Sequence, residues 1–394
     1  MGRVTDMRLS LRGTAAGLVL VAVGVAGCGP ANTAAPATGK APVARVDIAA
    51  AGGDQVNPLT PIVVHVQRGT LSSVTVTSPR GKQVTGAMSA DHTSWQTSEV
   101  LGYDSAYEVS AAAVGTDGQP TEQHRTIHTL TPRAQAYPSV VPAPGPHVDV
   151  GVGQPIVVRF DKTITDRAAA ERTLAVTSTP KQTGSWFWIS SREVHYRPEN
   201  YWQPGTHISL KINEYGINLG AGVYGETDKT VDFTVHDSWV ARADGNTEQM
   251  QIFQNDQLVK TMPISMGKDS TPTHIGTHVI SDKQQKFTMD SCTYGVCPGQ
   301  PGYYRTDEFF TERISNDGEF VHENPASVSA QGNTNVSHGC INLDQDNAEW
   351  FFAHFGLGDV VEVTNSGGPP LPVWDTYGDW AAPWQDWQAG SALH

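Results

Sequence analysis

The sequence predicts a mainly β protein built from several domains, and three observations lead to this prediction. The chain has 394 residues, which is enough for two to four domains. Its 39 glycines and 25 prolines indicate many turns, which favours β-rich domains over helical bundles. Its β-branched runs are short and separated by turn-forming residues, as at 62–66 and 74–77.

The first two predicted domains are of one class. Residues 43–131 are predicted to form a small antiparallel sandwich, because they hold short strand patterns and no useful stretch of helical period. Residues 132–236 are predicted to form a similar domain, since Pro-Ile-Val-Val-Arg-Phe at 155–160 weakly repeats Pro-Ile-Val-Val-His-Val at 61–66. Aromatic residues of this second domain are expected to pack its core rather than bind sugars: Trp186, Phe187, Trp188, Tyr201 and Trp202.

A third domain is predicted at residues 237–365. Residues 250–254 and 258–259 flank the pair Asn255-Asp256, which predicts a hairpin. A strand pattern follows later in the domain, and both features favour a β-rich fold.

A long loop and a short helix are predicted within this third domain. Residues 290–310 are rich in glycine and proline and are predicted to be a loop, and loops of this length tend to be functional. Asp344 is expected to cap a helix that stops near Gly356, before a strand at 359–363. The apolar residues of the helix are expected to face the core: Ala348, Phe351, Phe352 and Phe355.

Residues 322–343 gather the residue types of cysteine chemistry. An imidazole can take the proton of a thiol and hold an ion pair with the sulfur, so His322 could activate Cys340 if a loop between adjacent strands brings them together. Gly339 allows a tight bend before the sulfur, and backbone N–H groups there could bind an oxyanion. The alternative is that Cys340 is a buried small hydrophobe.

The motif resembles that of a known family. Ser-His-Gly-Cys-Ile-Asn at 337–342, with Phe-Val-His at 320–322, is similar to the signature of the L,D-transpeptidases, the YkuD-like cysteine peptidyltransferases of bacterial cell walls. The upstream region resembles the paired immunoglobulin-like domains of actinobacterial members. Further similar segments lie at 265–268, 289–291, 294–296, 302–307 and after 366. The resemblance implies two immunoglobulin-like β-sandwich domains, a β-rich YkuD-like catalytic domain with a short helix, and a Trp-rich C-terminal extension.

The resemblance also implies roles for residues around the motif. Cys340 would be the nucleophile and His322 the base, with the backbone carbonyl of Glu323 orienting the imidazole. A serine is common at this last position in close relatives, but only the carbonyl is used. The backbone N–H groups of His338, Gly339 and Cys340 would bind the oxyanion.

A substrate pocket is expected around the nucleophile, and no metal or cofactor is implied. Tyr304 matches a tyrosine of the flap that covers the donor site in the family. His338 is expected to be structural or to contact substrate rather than to be a second base. The residues expected to line the pocket are Met289, Tyr304, Ser337, His338 and Asn342.

The implied reaction is acyl transfer between peptidoglycan stem peptides. The donor would be a tetrapeptide stem that releases D-alanine, and an amine of a second stem would accept the acyl group to form a 3→3 cross-link. With water as acceptor, the same site would be an L,D-carboxypeptidase. Carbapenem-type β-lactams are expected to acylate the thiol. The net charge of −14 argues against a nucleic-acid partner.

Two rival interpretations come from other classes. A zinc site could use the available histidines and cysteines, although the spacing lacks a Cys-x-x-Cys pair. Its ligands would come from His322, His338, Cys340, Cys292 and Cys297. A non-catalytic lipoprotein that binds the cell wall is the second rival, and the intact Cys–His pair speaks against it.

The N-terminal segment is predicted to be processed. Residues 1–27 have a basic start and a short apolar stretch, and they lead into Val-Ala-Gly-Cys, which resembles a lipobox ending at Cys28. An ordinary signal peptide is the alternative. Residues 28–42 are predicted to be a linker, so the protein is expected to be extracytoplasmic and lipid-anchored to the membrane.

The remaining two cysteines and the C-terminal segment complete the predictions. Cys292 and Cys297 are predicted to form a disulfide, because an extracytoplasmic location permits one. Residues 366–394 are predicted to fold back onto the catalytic domain and the second β-domain, with a partner-binding tail as the alternative. This segment carries Trp374, Trp380, Trp384 and Trp387.

Overall fold

Strands dominate the computed structural model, which describes residues 43–53 and 55–393. This confirms the mainly β fold. The predicted signal peptide, Cys28 and the whole of the linker lie outside the described residues. Within those described ranges, the chain has no helix with the length and apolar character needed to span a membrane.

The first domain is a sandwich of two sheets. Its seven strands, numbered β1 to β7, are Arg45–Ala49, Val63–Gln67, Gly69–Thr77, Gly86–Met88, Ser94–Thr97, Ala106–Gly115 and Pro120–His128. One sheet has the strand order β1-β2-β5-β4 and the other β3-β6-β7, and apolar side chains fill the space between them.

The second domain also has two larger sheets, and it adds a two-stranded sheet and a short helix. Strands β8 to β17 are Ala134–Ala136, Pro138–Val141, Asp149–Val150, Ile156–Phe160, Leu174–Thr179, Gly184–Trp188, Glu193–Pro198, His207–Ile212, Val223–Gly225 and Lys229–Val235, and helix α1 is Arg167–Glu171. The sheets have the orders β13-β14-β11-β9, β10-β17-β15-β12 and β16-β8. The repeated run at 155–160 falls on β11, which is flanked by two partners as β2 is.

The third domain has nine strands in two sheets. Strands β18 to β26 are Trp239–Asp244, Gln249–Gln254, Gln257–Pro263, Gly276–Val279, Asp282–Asp290, Arg305–Arg313, Phe320–Glu323, Ile341–Leu343 and Val360–Thr364. The sheet orders are β20-β19-β18-β26-β21 and β22-β23-β24-β25. Helix α2 is Gln345–His354, and the C-terminal segment carries α3, Trp384–Ala389.

The predicted hairpin and helix are both present. Asn255 and Asp256 form a two-residue turn between β19 and β20, with φ values of 46° and 64°. The side chain of Asp344 accepts the N–H of Asn347 at 2.9 Å and so caps α2. One detail of the helix differs, because Phe352 is only half-buried while the other three predicted apolar residues are buried.

The predicted loop at 290–310 is wrong in its extent. Residues 305–310 belong to β23, which pairs with β22 from Asp290↔Arg305 to Asp282↔Arg313. Polar and charged side chains line both of these strands, so the apolar alternation that marks a half-buried strand is weak. The connecting loop is therefore 291–304, and it starts with the 3₁₀ turn Ser291–Tyr294.

The C-terminal segment lies against the second domain. Three of its tryptophan rings surround the buried guanidinium of Arg197, at 4.6 to 5.4 Å from ring centroid to Cζ. Arg197 also donates to the carbonyl oxygens of Asp379 and Ala382, at 3.1 and 2.7 Å. These rings are Trp380, Trp384 and Trp387, whereas Trp374 is 69% exposed and takes no part.

A buried ion pair and a backbone contact hold the same segment on both sides. Nδ1 of His195 lies 2.9 Å from Oδ1 of Asp379, and its Nε2 lies 2.8 Å from Oε1 of Glu193. On the side of the third domain, the N–H of Asn316 donates to Oδ1 of Asp375 at 2.7 Å. The C-terminal segment therefore contacts the second and third domains.

Candidate active site

Two neighbouring parallel strands bring His322 and Cys340 together. His322 lies in β24 and pairs with Asn342 of β25, and Cys340 immediately precedes β25. The residues between the strands leave the sheet and return, which is the arrangement that the sequence required for a Cys–His pair. Both side chains border one pocket.

The surroundings of His322 fix the orientation of its ring. Nδ1 lies 2.7 Å from the carbonyl oxygen of Glu323 and 3.3 Å from Oε2 of Glu308. Because both of these oxygens accept, Nδ1 carries a proton, and Nε2 is left for the thiol of Cys340. Burial lowers the pKa of His322, but hydrogen bonds with Cys340 and Glu308 raise it to about 10. The ring of His322 therefore favours its protonated, imidazolium form beside the sulfur of Cys340.

Glu308 is a site residue that the sequence did not reveal. It lies in β23, with its side chain 13% exposed, and lines the same pocket. The predicted loop at 290–310 hid it, since a residue in a loop has no defined neighbour. Had β23 been recognised as a strand, the position of Glu308 near β24 would have been a usable signal.

The bend before the nucleophile is tight. Gly339 has φ 126°, a conformation that other residues rarely adopt. Ser337 Oγ donates to the carbonyl of Cys340 at 2.6 Å and accepts the N–H of Gly339 at 3.1 Å. The Gly339 N–H is therefore engaged, which departs from its predicted place in the oxyanion site. Among the described residues, the N–H groups of His338 and Cys340 have no acceptor, so these two remain for an oxyanion.

A buried threonine supports this bend from below. Thr273 Oγ1 donates to the carbonyl of Gly339 at 2.7 Å and accepts the N–H of Gly267 at 3.0 Å. The N–H of Ser337 also donates to the carbonyl of Met266 at 3.0 Å. The segment at 265–268, which carried part of the family resemblance, thus holds the nucleophile loop in place.

The ring of His338 is engaged by a lysine. Lys268 Nζ lies 3.1 Å from Nε2 of His338, and because an ammonium group only donates, this nitrogen accepts. Burial and the charge of Lys268 lower the pKa of His338. Its ring lies 5.6 Å from that of Tyr304. This neutral imidazole is suited to contacting a substrate.

A pocket of about 310 Å³ opens next to the sulfur. All the residues predicted to line it do so, and Asn342 is almost fully buried with an Oδ1 that has no hydrogen-bond partner among the described residues. Residues that the sequence did not single out also line it: Thr306, Glu308, Asn324, Ala326, Ser327 and Val336.

The loop at 291–304 is tied near the pocket. Cys292 and Cys297 form a disulfide. Ser291 Oγ accepts the N–H of Tyr304 at 2.9 Å, so the disulfide-bonded turn and the pocket tyrosine are linked through one side chain. Since these two cysteines are bonded to each other, the zinc site considered above would lack two of its five candidate ligands.

Family models match most of the described chain. One for the L,D-transpeptidase catalytic domain matches residues 238–363, and one for a bacterial Ig domain matches residues 53–218. The second match spans parts of both sandwich domains. The order of domains is therefore that of the sequence prediction.

Several proteins named L,D-transpeptidase are similar to this chain. The chain is 44% identical to L,D-transpeptidase 2 of Mycobacterium tuberculosis, over 84% of this chain and 81% of that protein. It is 35% identical to L,D-transpeptidase 5 of the same species, over 86% of this chain and 74% of that protein. A solved structure of an LD transpeptidase in complex with imipenem is 34% identical, with a TM-score of 0.52, and covers 59% of this chain and 100% of that one.

Proposed function

The chain belongs to the L,D-transpeptidase family, and we propose that it cross-links peptidoglycan stem peptides through a thioester on Cys340. The observation that carries the proposal is that two neighbouring strands bring His322 and Cys340 to one pocket of about 310 Å³, with Nδ1 of His322 held by the carbonyl oxygen of Glu323. Family membership supports the reaction class, and the geometry supports the roles given to these two residues.

Acylation begins with the Cys340 thiolate. Its sulfur attacks the carbonyl carbon that joins the third residue of a tetrapeptide stem to the terminal D-alanine. The negative charge that develops on the carbonyl oxygen is stabilised by the N–H groups of His338 and Cys340. When the C–N bond breaks, the imidazolium of His322 gives its proton to the leaving amine, so that D-alanine departs neutral at nitrogen.

Transfer to the acceptor reverses the proton movement. The side-chain amine of a second stem attacks the thioester carbonyl, and Nε2 of His322 takes the proton that this amine loses. The new amide bond joins two third-position residues, which is a 3→3 cross-link, and the thiolate is restored. Glu323 contributes through its carbonyl oxygen, which keeps Nδ1 protonated and Nε2 directed at sulfur.

Carbapenem-type β-lactams are proposed to acylate the same sulfur. A relative of 34% identity was solved in complex with imipenem. A β-lactam carbonyl would occupy the position of the scissile carbonyl, and the protonated His322 would deliver a proton to the ring nitrogen as the ring opens.

The protein is proposed to act outside the cytoplasm, anchored by lipid on Cys28. Support comes from the basic and apolar start of the sequence, the lipobox-like Val-Ala-Gly-Cys and the linker rich in alanine and proline. The disulfide between Cys292 and Cys297 fits an oxidising compartment.

Intact-protein mass spectrometry with a disaccharide-tetrapeptide tests the proposal. The native chain should gain the mass of the stem less D-alanine and then yield a cross-linked dimer, while Cys340→Ala should do neither. A variant with both Cys292→Ser and Cys297→Ser is the matched control, because it keeps only the thiol that is proposed to react within the described residues.

The products separate the rival functions. Formation of the adduct followed only by free tripeptide would identify an L,D-carboxypeptidase. Absence of any adduct on the native chain, with imipenem also failing to add, would support the non-catalytic lipoprotein.

A further inference from the structure

Three side chains that could bind a metal ion lie close together, outside the pocket at Cys340: His274, Asp317 and Glu319. Nδ1 of His274 lies 3.0 Å from Oε1 of Glu319 and 3.6 Å from Oδ2 of Asp317. One donor atom from each of these residues lies within 4.8 Å of the other two. The proposed transpeptidation uses none of them.

Glu319 is the buried member of the cluster and is incompletely partnered. Its side chain is 6% exposed. Oε1 accepts the backbone N–H of His274 at 2.8 Å, while Oε2 has no hydrogen bond within the described part of the chain and lies 3.8 Å from Nδ1 of His278. A buried carboxylate oxygen without a donor is unfavourable, and a cation bound by both oxygens would satisfy it.

A second histidine–carboxylate cluster shows why this one is suited to an ion. His195 faces Asp379 with Nδ1 and Glu193 with Nε2, so its carboxylates lie at different ring nitrogens and share no donor point. His274 instead presents one nitrogen to both of its carboxylates. Only the arrangement at His274 lets three ligands converge on one position.

The donor set indicates the class of ion. One imidazole nitrogen with two carboxylate oxygens is typical of sites for first-row divalent metals such as zinc. Donors at ~2.0–2.2 Å from a tetrahedral zinc ion lie about 3.3–3.6 Å apart, and the 3.6 Å between His274 Nδ1 and Asp317 Oδ2 falls in this range. The 3.0 Å between His274 Nδ1 and Glu319 Oε1 is that of a hydrogen bond, whose proton a bound ion would displace. We propose that His274, Asp317 and Glu319 bind a divalent transition-metal ion, with a fourth position open to water.

The proposed site adjoins the nucleophile. Gly318, between two of the ligands, has its carbonyl oxygen 3.6 Å from Sγ of Cys340. A Cβ placed on Gly339 would lie 3.5 Å from Oε1 of Glu319. An ion held here would fix the turn that carries Gly318 and would therefore restrict the motion of the backbone next to the sulfur of Cys340. Asp317 is 49% exposed, which gives the ion a route from solvent.

Isothermal titration calorimetry with Zn²⁺ tests the site. The full chain should carry Cys340→Ser, so that the reactive thiol cannot bind the metal, and should first be treated with a chelator. One saturable site is expected, and His274→Ala should weaken it by roughly tenfold or more. Asp317→Asn gives a second test, since a half-exposed residue can be changed without disturbing the core.

The control is His207→Ala, which removes the imidazole of an exposed pair with Asp232 on two strands of the second domain. It should leave Zn²⁺ binding unchanged. Bound Zn²⁺ should also raise the melting temperature of the Cys340→Ser chain and not that of the His274→Ala derivative.

Three results would overturn the proposal. They are no saturable binding by the Cys340→Ser chain, binding that survives both His274→Ala and Asp317→Asn, and a loss of binding in His207→Ala as large as in His274→Ala. Because none of these measurements involves peptidoglycan, they stay separate from the test of transpeptidation.

Discussion

His322 and His195 are both buried imidazoles whose pKa is raised by neighbours, yet they serve different purposes. Burial lowers the pKa of each ring. Cys340 and Glu308 outweigh this effect at His322, and Asp379 and Glu193 outweigh it at His195, giving pKa values of about 10 and about 9. A raised pKa alone would rank the two positions as equal candidates for catalysis.

The difference lies in the second ring nitrogen. At His195 both nitrogens face carboxylates, so the ring is a cationic link between the second domain and the C-terminal segment. At His322 the two acceptors share Nδ1, and Nε2 is left for the thiol at the edge of a pocket. A histidine thus becomes a candidate base when one nitrogen is held and the other meets a nucleophile.

The largest expected effect separates the two histidines directly. His322→Ala should slow acylation of Cys340 by imipenem roughly 10²- to 10⁴-fold, because no group then holds the proton for the leaving nitrogen. His195→Ala should lower the melting temperature and leave acylation of the folded protein near its original rate. Rates from mass spectrometry, read beside thermal unfolding curves, check both statements. Equal acylation rates in the two variants would refute the distinction.

The second-largest expected effect is a loss of stability when the ion pair between His195 and Asp379 is removed. Asp379→Asn leaves a buried cationic ring with one carboxylate fewer, and should reduce the free energy of unfolding by roughly 3–5 kcal/mol. Asp386→Asn, an exposed change in the same segment, should stay within about 0.5 kcal/mol. Urea unfolding of both variants gives the comparison, and similar losses would contradict the proposed role of the link.

The same link sets a pH dependence. Because the pKa of His195 is raised on folding, its contribution to stability is full below the usual histidine value of 6.5 and is lost as pH rises through about 9. Asp379→Asn should therefore flatten the decline of stability over this interval.

A smaller effect is expected at Glu308, whose carboxylate helps to hold the proton on His322. Glu308→Gln should lower the pKa of His322, so the alkaline fall in D-alanine release, expected near pH 10 in the native chain, should move to lower pH. Glu323→Gln is the control, since its backbone carbonyl remains, and it should move this limb less. A larger shift in Glu323→Gln than in Glu308→Gln would show that Glu308 is not the carboxylate that holds this proton.

Features encoded by nearby residues could be predicted, while features that depend on strand register could not. The turn at Asn255-Asp256 and the cap at Asp344 follow from a few adjacent residues, and both are present. Cys340 and His322 were found because a specific motif places them. Glu308 and the cluster at Glu319 depend on how separate strands and loops meet, which polar sequence patterns did not reveal.

The engaged N–H of Gly339 shows the same limit at a finer scale. Glycine at that position predicts a bend, and the structure has one with φ 126°. Which N–H groups then point into the pocket depends on the rotamer of Ser337, whose hydroxyl accepts the N–H of Gly339. Side-chain rotamers are set by packing, and a motif does not specify them.

The aromatic enclosure of Arg197 has a consequence for any shortened form of the chain. Arg197 and its acceptor Ala382 are 185 residues apart in the chain. The three tryptophan rings around its guanidinium, and the carbonyl oxygens of Asp379 and Ala382, all come from residues after Cys340. A chain truncated just beyond Cys340 would therefore carry a complete Cys–His motif while the guanidinium of Arg197 lost this cover and these two acceptors.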